Sequence, residues 1–341
     1  MKSSQTKTDI KLGMLLDPIA GHLARVETKL AEQVASFDAG IGDYVQYVIG
    51  VAGKRLRPTL ALLAGGATGR IGEDHITLGV IVELIHVATL VHDDILDEAD
   101  LRHGLPTANS RWGHEISVLL GDCLFAHALS LAASYPTTNV CRKVSLATNT
   151  VCSGEILQTQ RRFDPALSID KYLEIIDMKT GALFAVSCEL GAELNNLPPH
   201  VVKGMREFGS NLGIAYQIYD DCVDIFGQER QAGKSLGTDM KNGKLTLPWL
   251  LLLQHTNPEN RPGVAELIFR GNADDRARLL ALVTGNGVLS ESLAMVEKYI
   301  TRAENNLADL PANAHTQTLS SLLNFIATKT QLLLKKEEVA A

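Results

Sequence analysis

Aromatic side chains are scarce in this sequence: Phe, Trp and Tyr make up 5% of 341 residues. Sheet cores lean on aromatic and β-branched pairs, so the scarcity disfavours a sandwich or barrel. Cysteine is sparse too. The five, Cys123, Cys141, Cys152, Cys188 and Cys222, are widely spaced and never form a CxxC pair. That argues against a zinc site or a disulfide framework and for reduced thiols. There is no excess of positive charge. The formal net charge is −7, so bulk charge does not serve nucleic-acid binding. The opening MKSSQTKTDIKLG lacks the apolar core of a signal peptide. The contiguous apolar runs, such as Leu245–Leu253, are too short to span a bilayer. The expectations are a cytoplasmic location, no transmembrane segment, and at most peripheral membrane contact.

What is present is helical. Hydrophobic residues make up 45% of the chain, and they recur with the helix period. The pattern predicts helices over about 10–36, 73–97, 115–134, 139–161, 168–194 and 199–226. Amphipathic segments follow near 286–309 and 316–334. GKRLRP (Gly53–Pro58), Pro136 and the Pro198–Pro199 pair punctuate them, and Pro58 is placed to start a helix. Leu101–Gly113 and Gln228–Gly243 read as polar loops. No strand-like alternation persists and no domain boundary stands out. The predicted fold class is all-α: a single-domain bundle of about 10–14 helices over residues 1–341, with 1–10 a flexible tail.

The stretch HDDILDEADLRHG places Asp93, Asp94, Asp97 and Glu98 at the end of a long apolar helix. A second DDxxD follows at Asp220, Asp221 and Asp224. Carboxylates at i and i+4 stack on one helix face. Asp93 and Asp97 each fall within about 20° of His86 on a helical wheel. In the second motif, Gln217 shares a face with Asp221 and Asp224. A solvated helix end accounts for one such run. Two copies, each after an apolar helical run, point instead to cavity walls. Hard divalent cations take oxygen ligands, and Mg²⁺ typically combines one or two carboxylates with phosphate oxygens. Pyrophosphate also needs cations. They stand in short groups: Lys54, Arg55 and Arg57; Arg102 and His103; Lys179 beside Thr180; Lys234 and Lys244. GKRLRP lacks Walker A spacing.

In order and spacing, GKRLRP, HDDILDEADLRHG, GDCLFAHA, GEILQ, MKTGALF, YQIYDDCVDIFG and GTDMKNGKLTLP resemble the trans-isoprenyl diphosphate synthases, or polyprenyl synthetases. The resemblance covers nearly the whole chain. It implies helices around a central cavity, a homodimer, and head-to-tail condensation of isopentenyl diphosphate with an allylic diphosphate. It implies Mg²⁺ as cofactor, with Mn²⁺ as a substitute. Asp93 and Asp97 would bind metal with Asp220 and Asp224, and Asp94 and Asp221 would support them. Arg102, Lys179, Lys234 and Lys244 would clamp the allylic diphosphate. Thr180 and Gln217 would line the reacting end. Lys54, Arg57, His86 and His103 would hold isopentenyl diphosphate. The family commonly reads Arg-Arg-Gly where this chain has Arg102-His103-Gly104. A neutral imidazole lacks the guanidinium fork, so weaker isopentenyl diphosphate binding that improves toward pH 6 is expected.

By the same analogy, bulky aromatics four and five residues before the first Asp give short products. Here those positions are Thr89 and Ala88, followed by Ile85, and no aromatic occurs from Ile71 to Val91. That leaves roughly 20 Å of helix wall without a stop and predicts a long product, on the order of C30–C50. Phe125 or Leu129 from another helix, or the dimer partner, would be alternative stops. The competing readings are a geranylgeranyl diphosphate synthase, a terpene cyclase or head-to-head synthase, and a non-catalytic partner subunit. Against a cyclase stands the second cationic set at GKRLRP and His86. Against a non-catalytic subunit stand two intact aspartate triplets.

Overall fold

The computed structural model describes residues 12–51, 53–227, 237–271 and 273–340, and it is all-α as predicted. The helix expected over 10–36 is divided into α1 (Leu12–Leu15), a 3₁₀ turn (Asp17–Ile19) and α2 (Ala20–Gln33). Pro18 sits in the turn, where a missing N–H is tolerated. GKRLRP joins α3 (Gly42–Val51) to α4 (Leu56–Thr68), and α5 (Glu73–Leu96) follows the predicted bounds. Leu101–Gly113 is not all loop. Leu101–Arg102 (β1) and Leu105–Pro106 (β2) pair as an antiparallel hairpin too short to leave an alternating pattern. Helix α6 (Ala108–Ala133) starts at Ala108 rather than near 115. Thr107 caps it by accepting from the Ser110 amide, and Gly113, at φ 83°, kinks it.

α7 spans Asn139–Gln160. The helix expected over 168–194 is α8 (Ile169–Ile176) and α9 (Ala182–Glu193), separated by a π turn at Asp177–Gly181. Then come α10 (Pro199–Phe226), α11 (Thr238–Lys241), α12 (Leu247–His255), α13 (Arg261–Arg270), α14 (Ala273–Gly285), α15 (Val288–Asn305) and α16 (Ala314–Ala340). The described residues thus hold sixteen helices, more than predicted. The four-residue α1 and α11 are too short to show a period, and the π turn splits another.

One continuous apolar core runs from Leu16 to Leu333. Helix α5 passes through it, packed on α2, α4, α6 and α9. Helix α10 packs on α9, the π turn and α15. Gly209 and Gly213 make that approach possible. A Cβ at Gly209 would lie 2.5 Å from the Phe184 carbonyl oxygen, and one at Gly213 would lie 2.8 Å from the Gly181 Cα. Gln217, just before the second aspartate motif, is thereby drawn against Thr180.

The reading that the apolar stretches are too short to span a bilayer is corrected here. α5 and α6 are each long and apolar enough to cross a membrane by length and composition. Counting only uninterrupted apolar runs missed them, because isolated polar residues break the runs without lowering the mean. The apolar window of α5 is 72% buried within the bundle, against 33% for α6.

Candidate active site

A cavity of about 500 Å³ opens between α4, α5, α6, α7 and α10. His86, Thr89, Leu90, Asp93 and Asp97 line it from α5, so His86, Asp93 and Asp97 share the face predicted for them. Asp94 does not. One helical step carries it off that face, where it is 4% exposed and accepts from Arg102 Nη2 at 2.7 Å and Nε at 3.0 Å. Asp94 is therefore an ion-pair partner rather than a metal support. Arg102 lines the cavity with its guanidinium anchored on Asp94.

The second motif is also turned from its predicted face. Tyr216, Gln217, Asp220 and Val223 line the cavity from α10. Asp221 and Asp224 are buried, at 3% and 1% exposure, and are not among the lining residues. Asp221 accepts from Tyr172 Oη at 2.5 Å and from Gln217 Nε2 at 2.8 Å. Burial, then Asp239, push its carboxyl up to about 8. The cavity face of α10 is displaced from the predicted stripe by about one residue step.

The cations divide between the two ends. Lys179, on the π turn, donates to Gln158 Oε1 at 3.0 Å and pairs with Glu155 Oε2 at 2.6 Å. Both partners belong to GEILQ. Lys244 is 6% exposed and donates to Asp97 Oδ2 at 2.7 Å. Arg162 takes Asp97 Oδ1 at 2.9 Å and also donates to the Leu96 carbonyl at the end of α5. Lys244 is thus held by an acid at the cavity edge rather than lining the cavity. Lys234 lies outside the described residues. Burial lifts the Asp93 carboxyl to about 6, opposed chiefly by Lys179.

At the other end Arg55 explains GKRLRP. It adopts a left-handed conformation at φ 52°, which favours glycine, and is held there by its partners. It bonds Glu27 at 2.6 Å, Glu83 at 2.9 Å and the Ile49 carbonyl at 3.0 Å. That anchor leaves Lys54 and Arg57 on the cavity wall. Arg57 lies over the Phe184 ring at 5.1 Å, and its Nε is buried without a partner. Burial lowers its pKa to about 10, so it is cationic at neutral pH. His86 Nδ1 and Glu83 Oε2 are likewise buried and unpartnered. Burial, then Arg57, Arg102 and Arg55, hold His86 well below the usual histidine range, so it is neutral. His103 lies over Gly53, where a Cβ would sit 3.2 Å from its Nε2.

The carboxylates fit a metal in one way only. Among the described residues, no three His, Cys, Asp or Glu side chains converge to hold an ion by themselves. Asp93, Asp97 and Asp220 instead present oxygen donors from two facing helices across open space. Such a set suits Mg²⁺ whose shell is completed by phosphate oxygens and water, not an all-protein cage.

The chain-length positions separate. Thr89 faces the cavity, with its hydroxyl on the His86 carbonyl at 2.7 Å. Ala88 and Ile85 are fully buried and are not among the lining residues, because their helical phase turns them into the core. Phe125 from α6 and Val151, Cys152 and Ile156 from α7 supply the facing wall. Sequence reasoning gave no role to Glu155, Gln158, Arg162, Glu83 or Tyr172. GEILQ carried a signal for the first two, an acid and an amide at i and i+3 on one helix.

The polyprenyl synthetase family model matches residues 39–284. An octaprenyl diphosphate synthase from Escherichia coli (strain K12) is 36% identical over 253 residues, covering 74% of this chain and 78% of that protein. The structure of a decaprenyl diphosphate synthase from Rhodobacter capsulatus superposes with a TM-score of 0.87 at 33% identity, covering 93% of this chain and 98% of the other. A polyprenyl synthase from Caulobacter crescentus CB15, complexed with calcium and isoprenyl diphosphate, gives 0.86 at 33% identity with the same coverage. The chain belongs to the polyprenyl synthetase family, among the long-chain trans-prenyl diphosphate synthases.

Proposed function

We propose that this chain extends an allylic diphosphate with isopentenyl diphosphate, head to tail, to a long-chain all-trans polyprenyl diphosphate, with Mg²⁺ as cofactor. The observation that carries the reading is a single cavity with two unlike polar ends. Carboxylates from α5 and α10 stand at one, and Lys54, Arg57 and His86 at the other. An apolar wall of Leu90, Phe125, Val151 and Ile156 completes it. A cyclase acting on one substrate has no use for the second cationic end. A geranylgeranyl diphosphate synthase differs only in where elongation stops.

When bound, Mg²⁺ would neutralise charge on the diphosphate oxygens. The residues of the chain do the rest. Lys179, fixed by Glu155 and Gln158, faces the leaving group. Cleavage of the allylic C–O bond leaves the electron pair on diphosphate oxygen and an allylic cation behind. Thr180 and Gln217 line the reacting end, their side chains bonded at 2.7 Å. Lys54 and Arg57 hold isopentenyl diphosphate so that its alkene meets the cation before water does. The departing diphosphate takes the final proton.

The homodimer is part of the same proposal: Val118 and Leu119 on α6 and Leu146 on α7 are apolar side chains left exposed on this chain. The test of the catalytic reading is Asp93→Ala. Elongation should fall by at least 10²-fold with helicity retained, and chelation with EDTA should abolish it reversibly. Retained activity in either case contradicts the assignment.

A further inference from the structure

Tyr172 belongs to α8, takes no part in lining the cavity, and is 3% exposed. Its hydroxyl has one partner of note, Asp221 Oδ2 at 2.5 Å. The other Asp221 oxygen accepts from Gln217 Nε2 at 2.8 Å. Gln217 Oε1 in turn accepts from the Thr180 hydroxyl at 2.7 Å. Each Asp221 oxygen thus accepts one bond, Oδ2 from the Tyr172 hydroxyl and Oδ1 from the Gln217 nitrogen. The amide oxygen then faces Thr180, and the Thr180 proton is committed to it. The Thr180 oxygen is left to present lone pairs, not a proton, to whatever occupies the cavity.

We infer that Tyr172 is a positioning residue, which acts through Asp221 and Gln217 to set the orientation of the Thr180 hydroxyl. The inference rests on the proposed reaction, in which Thr180 faces an allylic cation. A lone pair aimed at that cation stabilises it, and a hydroxyl proton aimed there opposes it. The geometry bears on the transition state far more than on either bound diphosphate, so its loss belongs in kcat rather than KM. It also gives the middle aspartate of the second motif a hydrogen-bonding task.

The test is a double-mutant cycle in the full-length enzyme with Mg²⁺, isopentenyl diphosphate and farnesyl diphosphate. Tyr172→Phe should lower kcat about 30-fold and shift both KM values less than about twofold. Thr180→Val should act alike. The double variant should be no worse than about threefold below the poorer single, because both cut one chain. Losses that multiply, a near-normal kcat in Tyr172→Phe, or a loss carried by KM would overturn the inference. If Tyr172→Phe melts below the assay temperature, Gln217→Met replaces it in the cycle, with the same criteria. Elongation by the unmodified enzyme is measured first. Its absence would defeat the functional reading, and the same cycle read in melting temperatures then tests the hydrogen-bond chain, with additive shifts counting against it.

Discussion

Lys244 Nζ lies 2.7 Å from Asp97 Oδ2 and joins residues 147 positions apart in the sequence. With Arg162 on Oδ1 at 2.9 Å, both oxygens of the last aspartate in the first motif face a cation. Lys244 stands at the cavity edge, whereas Arg162 is also tied to the end of α5 through the Leu96 carbonyl. Lys244→Met is therefore expected to lower kcat/KM for the allylic diphosphate by about 10²-fold. Arg162→Met should cost about tenfold less, since Lys244 still reaches Asp97. Steady-state kinetics alongside far-UV circular dichroism checks the order, and a larger loss in Arg162→Met would reverse the assignment.

Product length provides a second test. Thr89→Phe puts a ring on the cavity wall and should shorten the product, whereas Phe125→Ala should lengthen it. Ala88→Phe should behave differently. Ala88 is fully buried, so the ring overpacks the core and destabilises by about 1–3 kcal/mol without matching the effect of Thr89→Phe on chain length. Product sizing and thermal melts of the three variants separate these outcomes. A strong shortening in a stable Ala88→Phe enzyme would count against the geometry.

His103 invites a third. His103→Arg should lower KM for isopentenyl diphosphate by about 3–10-fold at pH 8, because a guanidinium gives a permanent, forked charge beside Lys54. In the unmodified enzyme that KM should fall between pH 8 and pH 6, while in the variant it should stay flat. Identical KM values and pH profiles would show that Lys54 and Arg57 suffice.

A fourth concerns stability away from the site. His75 accepts from the Gly72 amide at Nδ1, 3.2 Å away, and donates from Nε2 to the Gly191 carbonyl at 3.0 Å. A proton on Nδ1 would face a donor, and burial, the largest cause, holds the pKa below its usual value. The unfolded chain binds a proton near pH 6.5 while the folded chain does not. Stability should therefore fall as pH drops below about 6.5, by up to about 1.4 kcal/mol per pH unit for this group, until the folded pKa is reached. Denaturant melts of His75→Gln should be less stable at pH 7.5 but show a shallower loss toward pH 5.5. An unchanged slope would contradict the assignment.

The long apolar run before Asp93 announced α5 and the stripe from His86 to Asp97, because a period of 3.6 survives tertiary packing. The neighbouring positions were not legible. Asp94 looks like Asp93 in a motif, and only the hairpin that returns Arg102 to it reveals a structural ion pair. Ala88 looked like cavity wall by proximity to Thr89, although one helical step separates cavity from core. The π turn that places Lys179 and Thr180 leaves no trace in an apolar pattern, since it adds a residue without changing composition. Tyr172 was invisible as a site residue because its partner, Asp221, lies 49 positions away.

The central claim is tested by sizing the product. The purified protein is incubated with Mg²⁺, isopentenyl diphosphate and farnesyl diphosphate, and the products are dephosphorylated and separated by chain length. The account predicts a ladder that ends within about C30–C50, as a wall without an aromatic on α5 allows. Accumulation at C20 with nothing longer, or no elongation at all, would contradict it.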